Sequence, residues 1–375
     1  MLFVTGIIIT FFLSIILWSK KGKTAADHVL AAWLCVLGLH LFFYYWFITG
    51  QIYKYPQFLG LQIPMPLMHG PLLYMYTHTL ARNERFSPKL LLHLLPAAIT
   101  YPALIKFFQL SGAEKIIVYK NEGAGFEIYS DVINGATIIS GFLYVFLSFR
   151  ELWLYRKRIA EEFSNTERIN LNWLRGLIWG ILLVWIIVTV SGADELVFGS
   201  VVIFILLLGY FGIKHVGIFT YQPQASAPED VPVKEPPITV QSPLKTRYER
   251  SGLQKEAADT IYHNLNRLMT TDRLFKNAEL SLAQLAGQLD THPNNLSQVI
   301  NTYENKTFYD YINTLRIQEF KEIVALPDNR NYTLLSLAFE CGFNSKTSFN
   351  RNFKKITGLS PSAYLKEVHV ELADA

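Results

Sequence analysis

The sequence predicts an all-α protein in two parts: a seven-helix transmembrane bundle, then a helical domain built on two helix-turn-helix units. Three observations predict it. Apolar runs of spanning length recur through the first 215 or so residues, and the charged residues gather in the last third. Beyond the apolar runs the hydrophobic residues return at three- and four-residue steps, with no alternating strand pattern beside them. The 375 residues are 51% hydrophobic and only 17% charged, which excludes a disordered chain and an ordinary soluble one. The net charge of +4 averages two unlike parts and says little about a partner.

The first element is LFVTGIIITFFLSIILW, residues 2–18, which carries no charge. A secretory signal is the rival reading. Lys20, Lys21 and Lys23 follow the apolar stretch instead of preceding it, and no A-x-A cleavage site is present, so the segment is expected to stay as an uncleaved first membrane helix. A spanning helix needs roughly 20 mostly apolar residues. Segments near 28–48, 59–80, 89–109, 132–153, 171–191 and 196–214 also qualify, the third interrupted by Pro64, Pro66 and Pro71.

Loop charge sets the expected orientation. Lys20, Lys21 and Lys23, then Arg82, Arg85 and Lys89, then Arg150, Arg156, Lys157, Arg158 and Arg168 fall on one side. The other side holds Lys54, Lys115 and Lys120 among several acids, and a Ser191–Glu195 turn without a base. The positive-inside rule then puts the N-terminus outside and, after seven spans, the C-terminus in the cytoplasm. The expected location is the cytoplasmic (inner) membrane.

Residues 217–246 are proline-rich, with six prolines from Thr220 to Thr246, and read as an extended cytoplasmic tether. Residues 247–375 follow as a soluble domain. Leu253, Ala257, Ile261, Leu265 and Leu268 mark one amphipathic helix. A helix at 281–289, a turn at Asp290-Thr-His, and a helix at 293–303 with Pro293 at its first position make the first helix-turn-helix unit. A connecting helix spans 306–326, ended by Pro327. The helix 334–341, the Gly342-Phe343-Asn344 turn and the helix 345–357, closed by Gly358, make the second unit.

In such units the second helix enters the major groove, and the residues at its start reach base edges. These are Asn294, Asn295, Ser297 and Gln298 in the first unit, and Lys346, Thr347, Asn350 and Arg351 in the second, with Lys354 and Lys355 nearer the phosphates. Asn and Gln pair with adenine, and Arg or Lys with guanine. From Cys341 to Leu365 there are four bases and no acid, whereas the first reading helix has no charge, so the second unit is expected to carry more of the salt-dependent attraction. Phe343, Phe349 and Phe353 are read as core.

LSLAQLAGQLDTHPNNLSQVIN, FYDYINTLRI and AFECGFNSKTSFNRNFKKITGLSPSAY resemble the DNA-binding domain of the AraC family of bacterial transcription regulators. The anchors are Gly342-Phe343, Ser345, Phe349, Arg351, Phe353-Lys354, Gly358, Ser360-Pro361 and Tyr364. The resemblance covers about 280–364 and implies two units reading successive major grooves of double-stranded DNA. The layout also resembles membrane-embedded regulators of this family, in which a spanning part replaces the soluble sensor. Two positions depart from the family pattern: Asp290, where the first turn often has Gly, and Leu365, where a base is common.

Other chemistry is sparse. His40, His69, His78 and His93 lie in or beside spans without a spacing that defines a metal or haem site, so no cofactor is expected. Cys35 and Cys341 are too few for a disulfide framework. Asn134, Lys106, Arg175, Asp194 and Glu195 are read as packing or snorkelling groups, with a ligand cavity as the alternative. No nucleophile with an adjacent base and no phosphate-cradling glycine loop is present, so the chain is not read as an enzyme. The partners implied are duplex DNA, a lipid bilayer, a signal ligand of unknown identity and, left open, a second copy in a homodimer. A receptor or transporter-like protein with a partner-binding tail is the rival reading, and release of the tail by proteolysis is a third.

Overall fold

The computed structural model describes residues 1–82, 86–166, 169, 171–214 and 254–366. The tether expected at 217–246, and the loop bases Arg85 and Arg168, lie outside the described residues. Every described element is helical, and one isolated antiparallel bridge joins Phe163 to Ser281. The chain divides into two compact units. One comprises Met1–Tyr155 and Leu171–Val231, and the other Arg156–Asn170 and Pro232–Ala375.

In the first unit α1 (Leu2–Ser19) packs against α2 (Ala25–Ile48) and α9 (Asp194–Lys214), α2 against α3 (Pro66–Arg82), and α8 (Asn172–Ser191) against α9. A Thr24–Asp27 capping box starts α2, and Lys20 pairs with the same Asp27 at 3.0 Å. Leu13, Leu30, Trp33, Leu34, Leu73, Ile178, Val202 and Ile205 form the core. The opposite faces stay apolar and exposed, with Ile8, Phe12, Ile15, Ile139, Phe146, Leu183 and Ile203 among them. Helix α7 (Glu127–Glu162) runs for 36 residues. At 1.5 Å per residue that is about 54 Å, well beyond the hydrocarbon thickness of about 30 Å.

Among the described residues five helices, α1, α2, α7, α8 and α9, are long and apolar enough to cross a membrane. The other two expected spans differ from their prediction. The third begins only at Pro66, after turns and 3-10 helices between residues 51 and 65, because Pro64 and Pro66 supply no backbone N–H for a longer helix. The fourth is a 3-10 helix (Pro88–Leu94), then α4 (Leu95–Ala103) and α5 (Ile105–Phe108), with Pro88 and Pro96 opening two of these pieces and Pro102 near the end of α4. Between α5 and α7 lies a helix the sequence reading missed, α6 (Gly112–Lys120), started by a Ser111–Glu114 capping box.

The second unit holds α10 (Lys255–Thr270), α11 (Leu282–Gln288), α12 (Pro293–Glu304), α13 (Phe308–Val324), α14 (Leu334–Glu340) and α15 (Lys346–Thr357). Two cores sit along α13. Leu265, Leu285, Leu296, Ile300, Phe308 and Ile312 make the first; Ile317, Phe320, Leu337, Cys341, Phe343, Phe349 and Phe353 make the second. The long middle helix of the second unit therefore serves both helix-turn-helix pairs, burying one end in each core.

Candidate nucleic-acid interface

Each helix-turn-helix pair is set by its turn. In the first, a Ser281–Gln284 capping box starts α11, and Asp290 takes φ 51°, the left-handed conformation that Asp tolerates better than most residues. Thr291 then donates to the Ala286 carbonyl at 3.0 Å, and the His292 side chain accepts from the Asn294 N–H to cap α12. Pro293 occupies the first helical position, where a missing N–H costs nothing.

In the second pair Gly342 takes φ 95°, Phe343 donates to the Ala338 carbonyl at 3.1 Å, and Ser345 caps α15 through the Ser348 N–H. A Cβ on Gly342 would lie 2.7 Å from the carbonyl oxygens of Phe275 and Lys276. Backbone that close leaves room for hydrogen only.

Helix α15 is divided cleanly. Ser348, Phe349, Asn352 and Phe353 are buried, and Lys346, Thr347, Asn350, Arg351, Lys354 and Lys355 are exposed. The three phenylalanines pack in the core, Phe349 at 4.7 Å from the Phe320 ring, so they offer no stacking platform for bases. In α12, Asn294 is exposed and Asn295 and Ser297 are half-buried. Gln298 is a correction: it is buried, and its Nε2 has no partner among the described residues, so it does not belong to the exposed set.

Two of the exposed bases are tied to the connecting helix. Arg351 donates to the Tyr309 hydroxyl at 2.8 Å, beside the Asn352 amide, which donates to the same oxygen at 2.7 Å. Lys355 pairs with Asp310 at 2.6 Å. Tyr309 and Asn352 were missed in the sequence reading. The signal available was weak, two polar residues each at a position that the helical period assigns to the core.

Behind this surface lies a polar knot that periodicity did not reveal. Arg316 of α13 is 1% exposed. It donates to the carbonyls of Phe275 (2.7 Å) and Asn277 (2.8 Å) and to the carbonyl and hydroxyl of Ser164 (3.3 and 3.1 Å). Burial pushes its guanidinium down to about 10. Asn313, also 1% exposed, donates to the Ser164 carbonyl at 3.1 Å, and the Ser164 hydroxyl donates to Leu280 at 2.6 Å. Residues 156–170, the end of α7 and the segment after it, are thus a structural part of the second unit.

A family profile described as a helix-turn-helix domain, of AraC type, matches residues 285–367. The matched residues run from within α11 through α12 to α15 and include both turns, and they mark this end of the chain as a DNA-binding regulatory domain. No curated protein and no solved structure matches the chain at a significant level.

Proposed function

We propose that the chain is a membrane-embedded transcription regulator of AraC type that couples a signal received by its apolar unit to sequence-specific DNA binding by its second unit. The observation that carries this is the division of α15, with six polar or basic side chains outward over a phenylalanine core. In this reading Lys346, Thr347, Asn350 and Arg351, with Asn294, Asn295 and Ser297, read base edges, and Lys354 and Lys355 meet phosphates. The five long apolar helices with exposed apolar faces support a bilayer location. The loop charges support an inner-membrane protein with an outer N-terminus and residues 247–375 in the cytoplasm.

The test is genome-wide recovery of DNA crosslinked to the tagged full-length chain, with membrane fractionation of the same cells. Recovery of a small set of sites sharing one motif, from the membrane fraction, supports the reading. DNA recovered at background level, with the chain in membranes, would leave the tail as a protein-binding module. A soluble C-terminal fragment carrying the DNA would mean release by proteolysis.

A further inference from the structure

Within the second unit, Ser164 is held as a ligand is held. Its N–H and its hydroxyl both donate to the Leu280 carbonyl, at 3.2 and 2.6 Å. Its carbonyl accepts from Asn313 at 3.1 Å and from Arg316 at 3.3 Å, and its hydroxyl accepts from Arg316 at 3.1 Å. Every polar atom of the residue is engaged, and the preceding Phe163 forms an antiparallel bridge with Ser281. Ser164 is buried, and so are Leu280, Asn313 and Arg316, which grip it.

Three features set this apart from ordinary packing. Recognition runs through the main chain and one hydroxyl, the combination by which proteins take up a peptide: backbone hydrogen bonds for affinity, a side-chain pocket for specificity. The pocket selects serine, because the hydroxyl must donate and accept at once, which alanine cannot do, and threonine would add a methyl group to a closed space. The gripping group is also preorganised. Arg316 donates to the Phe275 and Asn277 carbonyls, which hold the guanidinium in place independently of Ser164. Connectivity then gives the grip its consequence. The second unit takes in the chain twice, as Arg156–Asn170 and again from Pro232 onward, and the stretch between, Leu171–Val231, belongs to the first unit.

We infer that the second unit carries a peptide-docking site for the Phe163–Ser164 segment of this chain, so that the C-terminal domain is attached twice, covalently through residues 217–246 and non-covalently through this segment. A cut within 217–246 then does not by itself release the C-terminal part. The inference goes beyond the DNA-binding reading and does not depend on it. It also narrows the proteolytic alternative, since release requires the docked segment to leave as well.

The test uses the full-length chain in lipid nanodiscs, immobilised through an N-terminal tag, with a site for a sequence-specific protease inserted between Gln224 and Ala225. The wash contains about 0.5 M salt, which screens attraction between a basic surface and lipid. After cutting, the wild-type C-terminal fragment is expected to stay bound. Ser164→Ala deletes both hydrogen bonds of the hydroxyl and should let the fragment wash off about tenfold faster. Ser164→Trp, too large for a closed pocket, should release the fragment outright, although the substitution lies outside the fragment and leaves its sequence unchanged. A labelled peptide of residues 156–170 should bind the uncut Ser164→Trp chain, whose site is vacated, and bind the uncut wild-type chain, whose site is filled in cis, about tenfold more weakly or worse. Should the Ser164→Trp chain fail to fold, the Ser164→Ala comparison decides alone. Immediate loss of the wild-type fragment, equal retention of the wild-type and Ser164→Ala fragments, or a peptide that does not distinguish the wild-type from a folded Ser164→Trp chain would each overturn the assignment.

Discussion

Arg316 and Ser164, 152 residues apart in the chain, meet in a buried contact in which the guanidinium donates to both the hydroxyl and the carbonyl of the serine. With Glu279 near enough to favour its charged form, this cation makes its hydrogen bonds to oxygens of neutral groups. It is held by carbonyls of Phe275 and Asn277 and by Ser164, with the Phe343 ring 5.8 Å from its central carbon. Replacing Arg316 by Met removes the charge and takes away the donor recorded for the Phe275 carbonyl, while the Asn277 carbonyl keeps the Leu280 N–H and the Ser164 carbonyl keeps Asn313. Orphaned buried acceptors cost about 1–3 kcal/mol each, offset in part by the cation that no longer has to be desolvated. The expected loss is about 2–4 kcal/mol for the second unit, read by urea denaturation of the full-length chain followed through DNA binding. Ser164→Ala should cost less, because Asn313 and Arg316 still reach the Ser164 carbonyl. A neutral Arg316→Met would mean the knot contributes nothing.

Much of the DNA-binding unit was legible. Gly342-Phe343 and the Phe349, Phe353 spacing carry a steric requirement and a helical period, and both are local. The knot was not legible, because Ser164 reaches Leu280 and Arg316 across 116 and 152 residues, and YINTLRIQEF reads as an ordinary helix. Gln298 misled for a related reason. On a helical wheel it falls between Asn294 and Asn295, so its burial comes from neighbours outside α12, which periodicity does not encode. The fourth expected span differs in another way: it is built of three shorter helical pieces, with Pro88 and Pro96 opening two of them and Pro102 near the end of α4.

Gly342 and Asp290 occupy equivalent turns with opposite tolerance. Gly342→Ala combines a left-handed φ of 95° with a Cβ 2.7 Å from two carbonyl oxygens, so about 4 kcal/mol or more should be lost. Asp290 is exposed at φ 51°, and Asp290→Gly relieves a strain of about 1 kcal/mol against a greater loss of unfolded-state entropy, for a change within about 1 kcal/mol either way. Thermal unfolding of the two variants should separate widely. Equal shifts would contradict the packing around Gly342.

Lys355 and Arg351 are both exposed but differ in what holds them. Arg351→Ala removes one cation and should lower the slope of log affinity against log salt by about 0.9, whereas Asn294→Ala should weaken binding with the slope unchanged. Tyr309→Phe removes the hydroxyl that Arg351 and Asn352 share and keeps the charge, so affinity should fall at constant slope. Filter-binding at four salt concentrations decides this; equal slopes for Arg351→Ala and Asn294→Ala would dismiss the electrostatic role.

In the proposed reading Asp310, paired with Lys355 at 2.6 Å, would compete with DNA for that lysine. Its side chain makes no other hydrogen bond recorded among the described residues, while the Thr307 hydroxyl that caps α13 accepts from the Asp310 N–H. Asp310→Asn should therefore free the lysine, removing a negative charge from the surface while keeping the cap. Binding should tighten by about threefold at low salt and steepen in its salt dependence, with little change in stability. Weaker binding would place Asp310 among the groups that hold the reading helix in position.

Cys341 gives a readout of the fold itself. It is fully buried, and burial, with Glu319 adding to it, pushes its thiol from 9.0 up to about 12. The folded state therefore keeps the proton that the unfolded chain loses above pH 9, and stability contributed by this group is complete below that pH. It declines as pH rises from 9 towards 12, at no more than about 1.4 kcal/mol per pH unit. Arg316 opposes this from about pH 9 upward, because its depressed guanidinium loses a proton there that the unfolded chain retains, so the Cys341 contribution is read as the difference between the chain and a Cys341→Ala variant. In a Cys35→Ser background Cys341 is the only thiol of the chain. Its alkylation by iodoacetamide should then track opening of the second unit and stay slow in native conditions, accelerating with urea in step with loss of DNA binding. Rapid alkylation of the native chain would show that the second core is open at Cys341.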